Sequence, residues 1–185
     1  MISNLKRTLI IAEGCDNHFG KLDNAKKMVI MAKKSGADVI KFQHHLPNEE
    51  MLPDVYKSKN FKSSLYTFLK KYSLKIEDHF ELKKYCKKKK IKYLCTPFST
   101  KAALELNEIG VSSFKIGSGE FSDLPFIESV CKLNKPVILS TGMSDLREII
   151  EVTKFLKKFK NKFAIMNCTS EYPPIYEDIN IGFIE

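Results

Sequence analysis

The sequence predicts an α/β fold, a (β/α)8 barrel of which about six strand–helix units are present. Short apolar runs alternate with amphipathic helical patterns along the whole chain, and polar residues recur where the apolar runs end. Strands that are apolar on both faces are typical of a parallel sheet covered by helices. Polar and charged residues at the ends of many successive strands are typical of a barrel, whose functional groups lie at the carboxyl ends of its strands.

Each element follows from a local signal. Gly36 and Gly110 end helical patterns, Pro97 stops an apolar run, and Ser99 is a helix N-cap. The predicted strands are Thr8–Glu13, Ala37–Gln43, Lys92–Thr96, Ser113–Ser118, Val137–Ser140 and Phe163–Cys168. The predicted helices run from Leu22 to about Ser35, Ser63 to about Tyr72, Ile76 to about Lys89, Ser99 to about Ile109, Leu124 to about Lys132, and Leu146 to about Phe159. The remaining long segment, His44–Lys62, is polar and contains two prolines.

A doubly wound open sheet is the rival architecture. No GxGxxG follows the first strand, where a dinucleotide-binding unit would place its phosphate loop. The difficulty for the barrel is its count, since a closed barrel needs eight strand–helix units in about 250 residues. We therefore expect the 185 residues to be a fragment of a longer protein, incomplete at the carboxyl end of the barrel.

Composition narrows the functional class. The formal net charge is +9, yet arginine occurs only at Arg7 and Arg147, and arginine is the usual bidentate reader of bases and phosphates. A lysine-rich surface explains the charge without a nucleic-acid partner. No apolar run approaches the roughly 20 residues that span a bilayer, and the start lacks a signal peptide's apolar core, so a cytoplasmic protein is expected. Five cysteines without a CxxC pair indicate neither a disulfide framework nor a zinc knuckle.

Two lysines occupy the middles of predicted buried strands. Lys41 lies between Ile40 and Phe42, and Lys115 lies in a similar apolar run. A buried charge is costly unless an anion meets it. Together with Glu13 at the end of the first strand, these lysines predict a site for a doubly anionic small molecule. The alternative is an internal ion pair, either Glu13 with Lys41 or Lys115 with Glu120.

Other groups at strand ends favour an anion as well. Thr96, Ser118 and Ser140 supply hydroxyl donors, and Gly117–Glu120 supplies backbone N–H groups on small residues. A helix that starts after Pro97 adds its N-terminus. Cys15 follows the first strand near the predicted site and is a minor candidate for a chemical role, while Cys95 and Cys168 are expected to be packed thiols.

Six sequence blocks, in this order, resemble the signature blocks of the sialic acid synthase family. They are Ile11–His18, Gly36–Gln43, Cys95–Ser99, Phe114–Glu120, Leu139–Met143 and Asn167–Pro173. These enzymes condense phosphoenolpyruvate with an N-acylated hexosamine to make a nonulosonic acid. The resemblance implies a TIM barrel followed by a small antifreeze-like domain, a homodimer, and a divalent metal ion, Mn²⁺ or Mg²⁺.

The resemblance also implies roles for individual residues. Glu13 matches the catalytic carboxylate near the sugar and the reacting centre. The phosphoenolpyruvate-binding positions correspond to Lys41, Thr96, Lys115, Ser118 and Ser140. The positions that line the sugar cleft correspond to Gln43, Asn60, Glu120, Ser170 and Tyr172; Ser170 departs from the asparagine of some members.

The implied metal ligands lie beyond Glu185, and no metal ligand is assigned within the chain. His44 and His45 on an apparent loop, and His18 after the first strand, are minor candidates; His79 is expected on a helix surface. We expect the 185-residue chain to be inactive alone. Two other functions stay open: a Schiff-base aldolase that uses Lys41 or Lys115 as nucleophile, and a non-catalytic polyanion-binding protein. The acceptor sugar, and whether it is phosphorylated, stay open too.

Overall fold

The computed structural model describes residues 7–54, 57 and 63–184. The chain divides into two compact units, Asn4–Val111 and Ser112–Glu185. Each unit is an alternation of parallel strands and helices. No helix in the described part of the chain is long and apolar enough to cross a membrane.

The first unit contains three parallel strands in sequential order. The strands are β1 (Ile11–Glu13), β2 (Val39–His44) and β3 (Lys92–Pro97), and the helices are α1 (Leu22–Lys34), α2 (Pro47–Glu50), α3 (Leu65–Tyr72), α4 (Ile76–Lys88) and α5 (Thr100–Glu108). β2 pairs with both neighbours, so Glu13 lies beside Lys41 and Gln43 lies beside Thr96. Helices α1 and α4 pack together, and α4 and α5 pack on β3.

The second unit repeats the same arrangement. Its strands are β4 (Phe114–Ile116), β5 (Val137–Ser140) and β6 (Phe163–Met166), and its helices are α6 (Leu124–Cys131) and α7 (Leu146–Leu156). Two short 3₁₀ turns, Tyr176–Ile179 and Ile181–Ile184, follow β6. β5 pairs in parallel with both neighbours, which places Lys115 beside Ile138 and Ser140 beside Met166.

Both units bury the apolar residues that alternate with the polar ones. Ile40, Phe42 and Leu94 are essentially inaccessible in the first unit, as are Phe114 and Leu139 in the second. Their burial supplies the main free energy of folding, roughly 25 cal/mol for each Å² of apolar surface removed from water. These residues hold the strands rigidly, and the strands in turn fix where their polar side chains project.

The predicted elements are confirmed, with shifted ends. Ser99 accepts a hydrogen bond from the Ala102 N–H (3.2 Å) as the N-cap of α5, and Gly36 and Gly110 have positive φ angles after helices. β1 begins at Ile11 because the Asp38 carboxylate, which also pairs with Arg7, accepts the Ile10 N–H (2.9 Å). The polar segment after β2 contains the short helix α2, which sequence patterns did not predict.

Candidate functional site

Lys41 is the centre of a charged cluster in the first unit. It is buried (9% exposed), and its Nζ lies 2.5 Å from Glu13 Oε2 and donates to Thr96 Oγ1 at 3.2 Å. The register of β1 and β2 places Glu13 directly beside Lys41, so both side chains lie on the same face of the sheet. The ion pair left open by the sequence is present. However, the Glu13 side chain is 51% exposed, so water or a ligand can reach its carboxylate.

The chain turns tightly over β2 just after Glu13. The Gly14 N–H donates to the Lys41 carbonyl at 2.7 Å, and the Cys15 N–H donates to Glu13 Oε1 at 2.9 Å. A Cβ on Gly14 would lie 2.8 Å from the Phe42 ring and 2.9 Å from the Lys41 carbonyl oxygen. Only glycine permits this approach, which aims the Glu13 carboxylate at Lys41.

Gln43 and His45 form a second cluster in the same unit. Gln43 Oε1 accepts from Cys15 Sγ at 3.1 Å and lies 3.2 Å from His45 Nε2. His45 is buried, its other ring nitrogen lies 2.8 Å from Glu50 Oε2, and its ring stacks on Phe98 at 4.1 Å between centroids. Although burial opposes the charged form, the carboxylates of Asp16 and Glu50 raise the pKa of His45 to about 9.

The histidine predictions need two corrections. His79 is fully buried rather than on a helix surface, because it lies on the face of α4 that packs into the core, where its Nδ1 lies 2.7 Å from the Tyr93 hydroxyl oxygen. His44 is the last residue of β2 rather than part of a loop, and its Nε2 lies 2.7 Å from Glu105 Oε2. Desolvation lowers the pKa of both residues, well below the usual value for His79. The spacing of His79 with Leu82 and Cys86, which share one face of α4, was the signal for its burial.

Cys15 is half-buried, and burial raises the pKa of its thiol. A suppressed thiolate makes a poor nucleophile, so the geometry assigns this residue a hydrogen-bonding role toward Gln43. Cys95 is buried, as predicted for a packed thiol, whereas Cys168 is only partly buried.

Lys115 is the corresponding buried lysine of the second unit (6% exposed). Its Nζ donates to Ser140 Oγ on β5 at 2.5 Å and to the Ile116 carbonyl at 2.6 Å. Ser118, just after β4, accepts the Gly142 N–H at 3.1 Å. Ser140 is thus bonded to the lysine as predicted, and Ser118 bonds instead to the backbone after β5.

Three other residues predicted to line the sugar cleft lie in the second unit: Glu120, Ser170 and Tyr172. Ser170 approaches Gly142 so closely that a Cβ on Gly142 would lie 2.5 Å from the Ser170 hydroxyl oxygen. Glu120 is partly buried, and the Tyr172 side chain is fully exposed. Asn60 lies outside the described residues. Sequence reasoning missed Asp16, His45 and Glu50 as a buried charged group, since their pairing depends on contacts among β1, β2 and α2.

The described residues offer no set of metal ligands. Nowhere in ranges 7–54 and 63–184 do three or more His, Cys, Asp and Glu side chains form a group that could hold a metal ion. His45, the nearest candidate, has both ring nitrogens engaged by neighbouring side chains. The described residues therefore do not fit a metal centre.

Comparison with known proteins identifies the fold and family. The N,N'-diacetyllegionaminic acid synthase of Campylobacter jejuni is 38% identical over 96% of the chain and 56% of its own length. The human N-acetylneuraminate-9-phosphate synthase is 34% identical over 95% of the chain and 50% of its own length. The chain thus spans about half the length of these relatives.

A solved structure matches the chain over its whole length. The N-acetylneuraminic acid synthetase of Leptospira borgpetersenii aligns with 100% of the chain and 64% of its own, with a TM-score of 0.88 and 29% identity. This match confirms the predicted fold class, a (β/α)8 barrel represented by six strand–helix units. The NeuB family model matches residues 28–185, and the chain belongs to the NeuB family.

Proposed function

We propose that the full-length protein condenses phosphoenolpyruvate with an N-acylated hexosamine to form a nonulosonic acid and phosphate. Membership of the NeuB family and relatives named as synthases of legionaminic and neuraminic acids support an activity of this type. The observation that carries the proposal is the pair of buried strand lysines, Lys41 and Lys115. Each is bonded to a hydroxyl near the carboxyl end of a neighbouring strand.

The substrate-binding assignments rest on the resemblance, and the geometry within each unit supports them. Lys41 with Thr96, and Lys115 with Ser140, are donors held in place by rigid strands, suited to phosphate and carboxylate oxygens. In the second unit Ser118 Oγ accepts the Gly142 N–H, which holds the Ser118 hydroxyl in place to donate its own hydrogen. Such preorganised donors stabilise charge at little reorganisation cost. We propose that these lysines and hydroxyls bind phosphoenolpyruvate.

The proposed reaction follows from this charge distribution. Carbon 3 of phosphoenolpyruvate attacks the aldehyde carbon of the open-chain sugar, and positive charge develops at carbon 2. Water adds to carbon 2, and phosphate leaves with its bridging oxygen as the C–O bond breaks. Holding phosphate and carboxylate fixes the approach of the two reactants. Glu13, half-exposed beside Lys41, orients or deprotonates the water or stabilises the cationic centre.

The Glu13–Lys41 contact has a consequence for binding. Without ligand, the carboxylate neutralises the lysine; an anionic ligand that binds Lys41 competes with Glu13 for its Nζ. Glu13 can leave the lysine at modest cost, since its exposed side chain regains water. We infer that phosphoenolpyruvate binding frees Glu13 for the sugar or the water.

We propose from the resemblance and the composition that the full-length protein is a cytoplasmic homodimer that uses a divalent metal ion, Mn²⁺ or Mg²⁺. Gln43, Asn60, Glu120, Ser170 and Tyr172 are proposed to line the sugar cleft.

The test is phosphate release from phosphoenolpyruvate by the full-length protein with Mn²⁺, against a panel of N-acyl hexosamines. Release with one sugar, abolished by Lys115→Ala, would establish the reaction and identify the acceptor. Absence of release with every sugar, while phosphoenolpyruvate still binds, would refute the synthase. Borohydride treatment with a keto substrate separates the aldolase alternative, because only a Schiff-base enzyme leaves a covalent lysine adduct.

A further inference from the structure

His45 lies in a buried environment in which both of its ring nitrogens face oxygen atoms. Nδ1 lies 2.8 Å from Glu50 Oε2, and Nε2 lies 3.2 Å from Gln43 Oε1 and 3.4 Å from Asp16 Oδ2. Ionised carboxylate oxygens accept hydrogen bonds and cannot donate them. Nδ1 faces the Glu50 carboxylate and Nε2 faces the Asp16 carboxylate, so each ring nitrogen needs its own proton whichever way the Gln43 amide is turned, and the ring is an imidazolium.

The two carboxylates are placed to hold this charge. The Glu50 side chain is 4% exposed, and besides His45 it accepts the backbone N–H of Leu46. The Asp16 side chain is 11% exposed and also lies 3.7 Å from His18 Nε2. A buried cation between two buried carboxylates is stabilised by close opposite charge, and stacking on Phe98 holds the ring plane.

The other titratable groups around His45 favour the same arrangement. His18, His44 and His79 all have lowered pKa values, chiefly because burial disfavours their charged forms. The positive charge of this histidine cluster therefore resides on His45, the one ring that touches two carboxylates.

The imidazolium determines which way the Gln43 amide points. Its oxygen, Oε1, receives two donors, His45 Nε2–H and Cys15 Sγ–H at 3.1 Å. Rotating the amide by half a turn would place its NH₂ group against the N–H of His45, donor against donor. The assignment of a side-chain amide follows from such a network. The NH₂ group is left to donate elsewhere.

We infer that His45 is a positioning residue, which orients the Gln43 amide so that its NH₂ group donates a hydrogen bond to an acceptor oxygen of the sugar substrate. This inference rests on the proposed function, in which Gln43 lines the sugar cleft. It deepens that function by requiring a carbonyl or hydroxyl oxygen of the sugar opposite Gln43. It also makes sugar binding, rather than phosphoenolpyruvate binding, depend on the charge of His45.

The first test measures the charge of His45 directly. In full-length protein labelled with ¹⁵N-histidine, the ring nitrogens of His45 are assigned by comparison with His45→Asn. Both are expected to show imidazolium shifts at pH 7.5 and to titrate near pH 9. Glu50→Gln is expected to move that titration to lower pH. A neutral His45 at pH 7.5 would overturn the inference whatever the enzyme catalyses.

The second test separates the two substrates. Gln43→Glu removes the donor, and Glu50→Gln weakens the charge that orients it. Both are expected to raise KM for the sugar about two- to tenfold, the range of one ordinary hydrogen bond, while KM for phosphoenolpyruvate changes less than about twofold. In Glu50→Gln the rise of sugar KM with pH is also expected to begin at lower pH than in the parent protein.

Matched variants control for a merely structural effect. Glu81→Gln makes the same change at an exposed ion pair with Lys84, and both KM values are expected to stay unchanged. Cys15→Ser keeps a donor toward Gln43 and is expected to raise sugar KM less than Cys15→Ala does, which would hold even if Glu50→Gln failed to fold.

The outcomes also separate this inference from the proposed function. Equal increases in both KM values, or none in Gln43→Glu, would overturn the role of Gln43 as a sugar donor while leaving the synthase intact. No phosphate release from the parent protein with any hexosamine would refute the function. The ¹⁵N spectrum would then still decide whether His45 carries the charge on which the orientation of Gln43 depends.

Discussion

The double variant Lys41→Met/Thr96→Val tests whether Lys41 stabilises the fold through its ion pair with Glu13 or binds an anionic ligand. It removes the buried ammonium and the buried hydroxyl that accepts its hydrogen bond (3.2 Å), so no polar partner of that bond is left stranded. Replacing both partners of a buried hydrogen bond by apolar groups of similar shape is nearly neutral for stability.

The magnitude follows from the exposure of Glu13. Breaking a fully buried ion pair costs about 3–5 kcal/mol, because the remaining charge stays desolvated. Glu13 is 51% exposed, so its carboxylate regains water when Lys41 is removed. The expected loss in the free energy of unfolding is therefore no more than about 1 kcal/mol, as for exposed pairs.

The affinity for phosphoenolpyruvate is expected to respond much more strongly. A hydrogen bond from a charged group contributes about 1.5–3 kcal/mol, so the double variant should bind phosphoenolpyruvate about 10- to 150-fold more weakly. Titration calorimetry measures the affinity and urea denaturation measures the stability of the same full-length protein. Lys101→Met, which removes an exposed lysine paired with Glu49 at 3.3 Å, is the control and should alter neither quantity appreciably.

The opposite pattern would refute this reasoning. A stability loss of several kcal/mol with phosphoenolpyruvate affinity unchanged would show that Lys41 exists to neutralise Glu13 within the fold.

Three further predictions concern the same regions. Burial lowers the pKa of His79, so below about pH 6.5 the unfolded chain binds a proton that the native state does not bind. As the pH is lowered, the free energy of unfolding should decrease by up to about 1.4 kcal/mol per pH unit. The variant His79→Leu should show a smaller decrease in urea titrations at pH 7.5, 6 and 5. An identical slope in the variant would contradict the assignment. Gly14→Ala should lower the free energy of unfolding by about 1–3 kcal/mol in thermal denaturation, because the added Cβ would clash with the Phe42 ring and a backbone carbonyl. Gly119→Ala is the control and should be near neutral, because no atom lies within 4 Å of the added Cβ. Equal effects of the two variants would contradict the tight turn at Gly14. Ser99→Ala should cost about 1 kcal/mol by removing the cap of α5, checked by denaturation, and a cost near zero would show that the cap is dispensable.

The order of elements and the two unusual lysines were predictable from the sequence because their signals are local. Periodicity distinguishes a strand such as Val137–Ser140, whose bounds were predicted to the residue, from a neighbouring helix. Ends set by side chains distant in sequence were less predictable. β1 starts late because the Asp38 carboxylate takes the Ile10 N–H, a contact across 28 residues that no periodicity records.

The candidate site divides along the same line. The sequence predicted that Lys41 and Lys115 lie in apolar strands and that hydroxyl groups follow the neighbouring strands. It could do so because the ends of parallel strands meet at one edge of a sheet. The sequence could not predict which partner each lysine contacts. The pairing of Glu13 with Lys41 was one alternative among several until the register of β1 and β2 was known.

The sequence by itself determined the parallel α/β architecture, the family resemblance and the residue types available for anion binding. Only the tertiary structure decided the charge of His45, the burial of His79 and the orientation of Gln43. Local propensity and periodicity act between residues a few positions apart, whereas ionisation and amide orientation depend on which distant groups share a low-dielectric environment. The charged cluster forms only when β1, β2 and α2 bring its members within hydrogen-bonding distance. These members are Asp16, Gln43, His45 and Glu50.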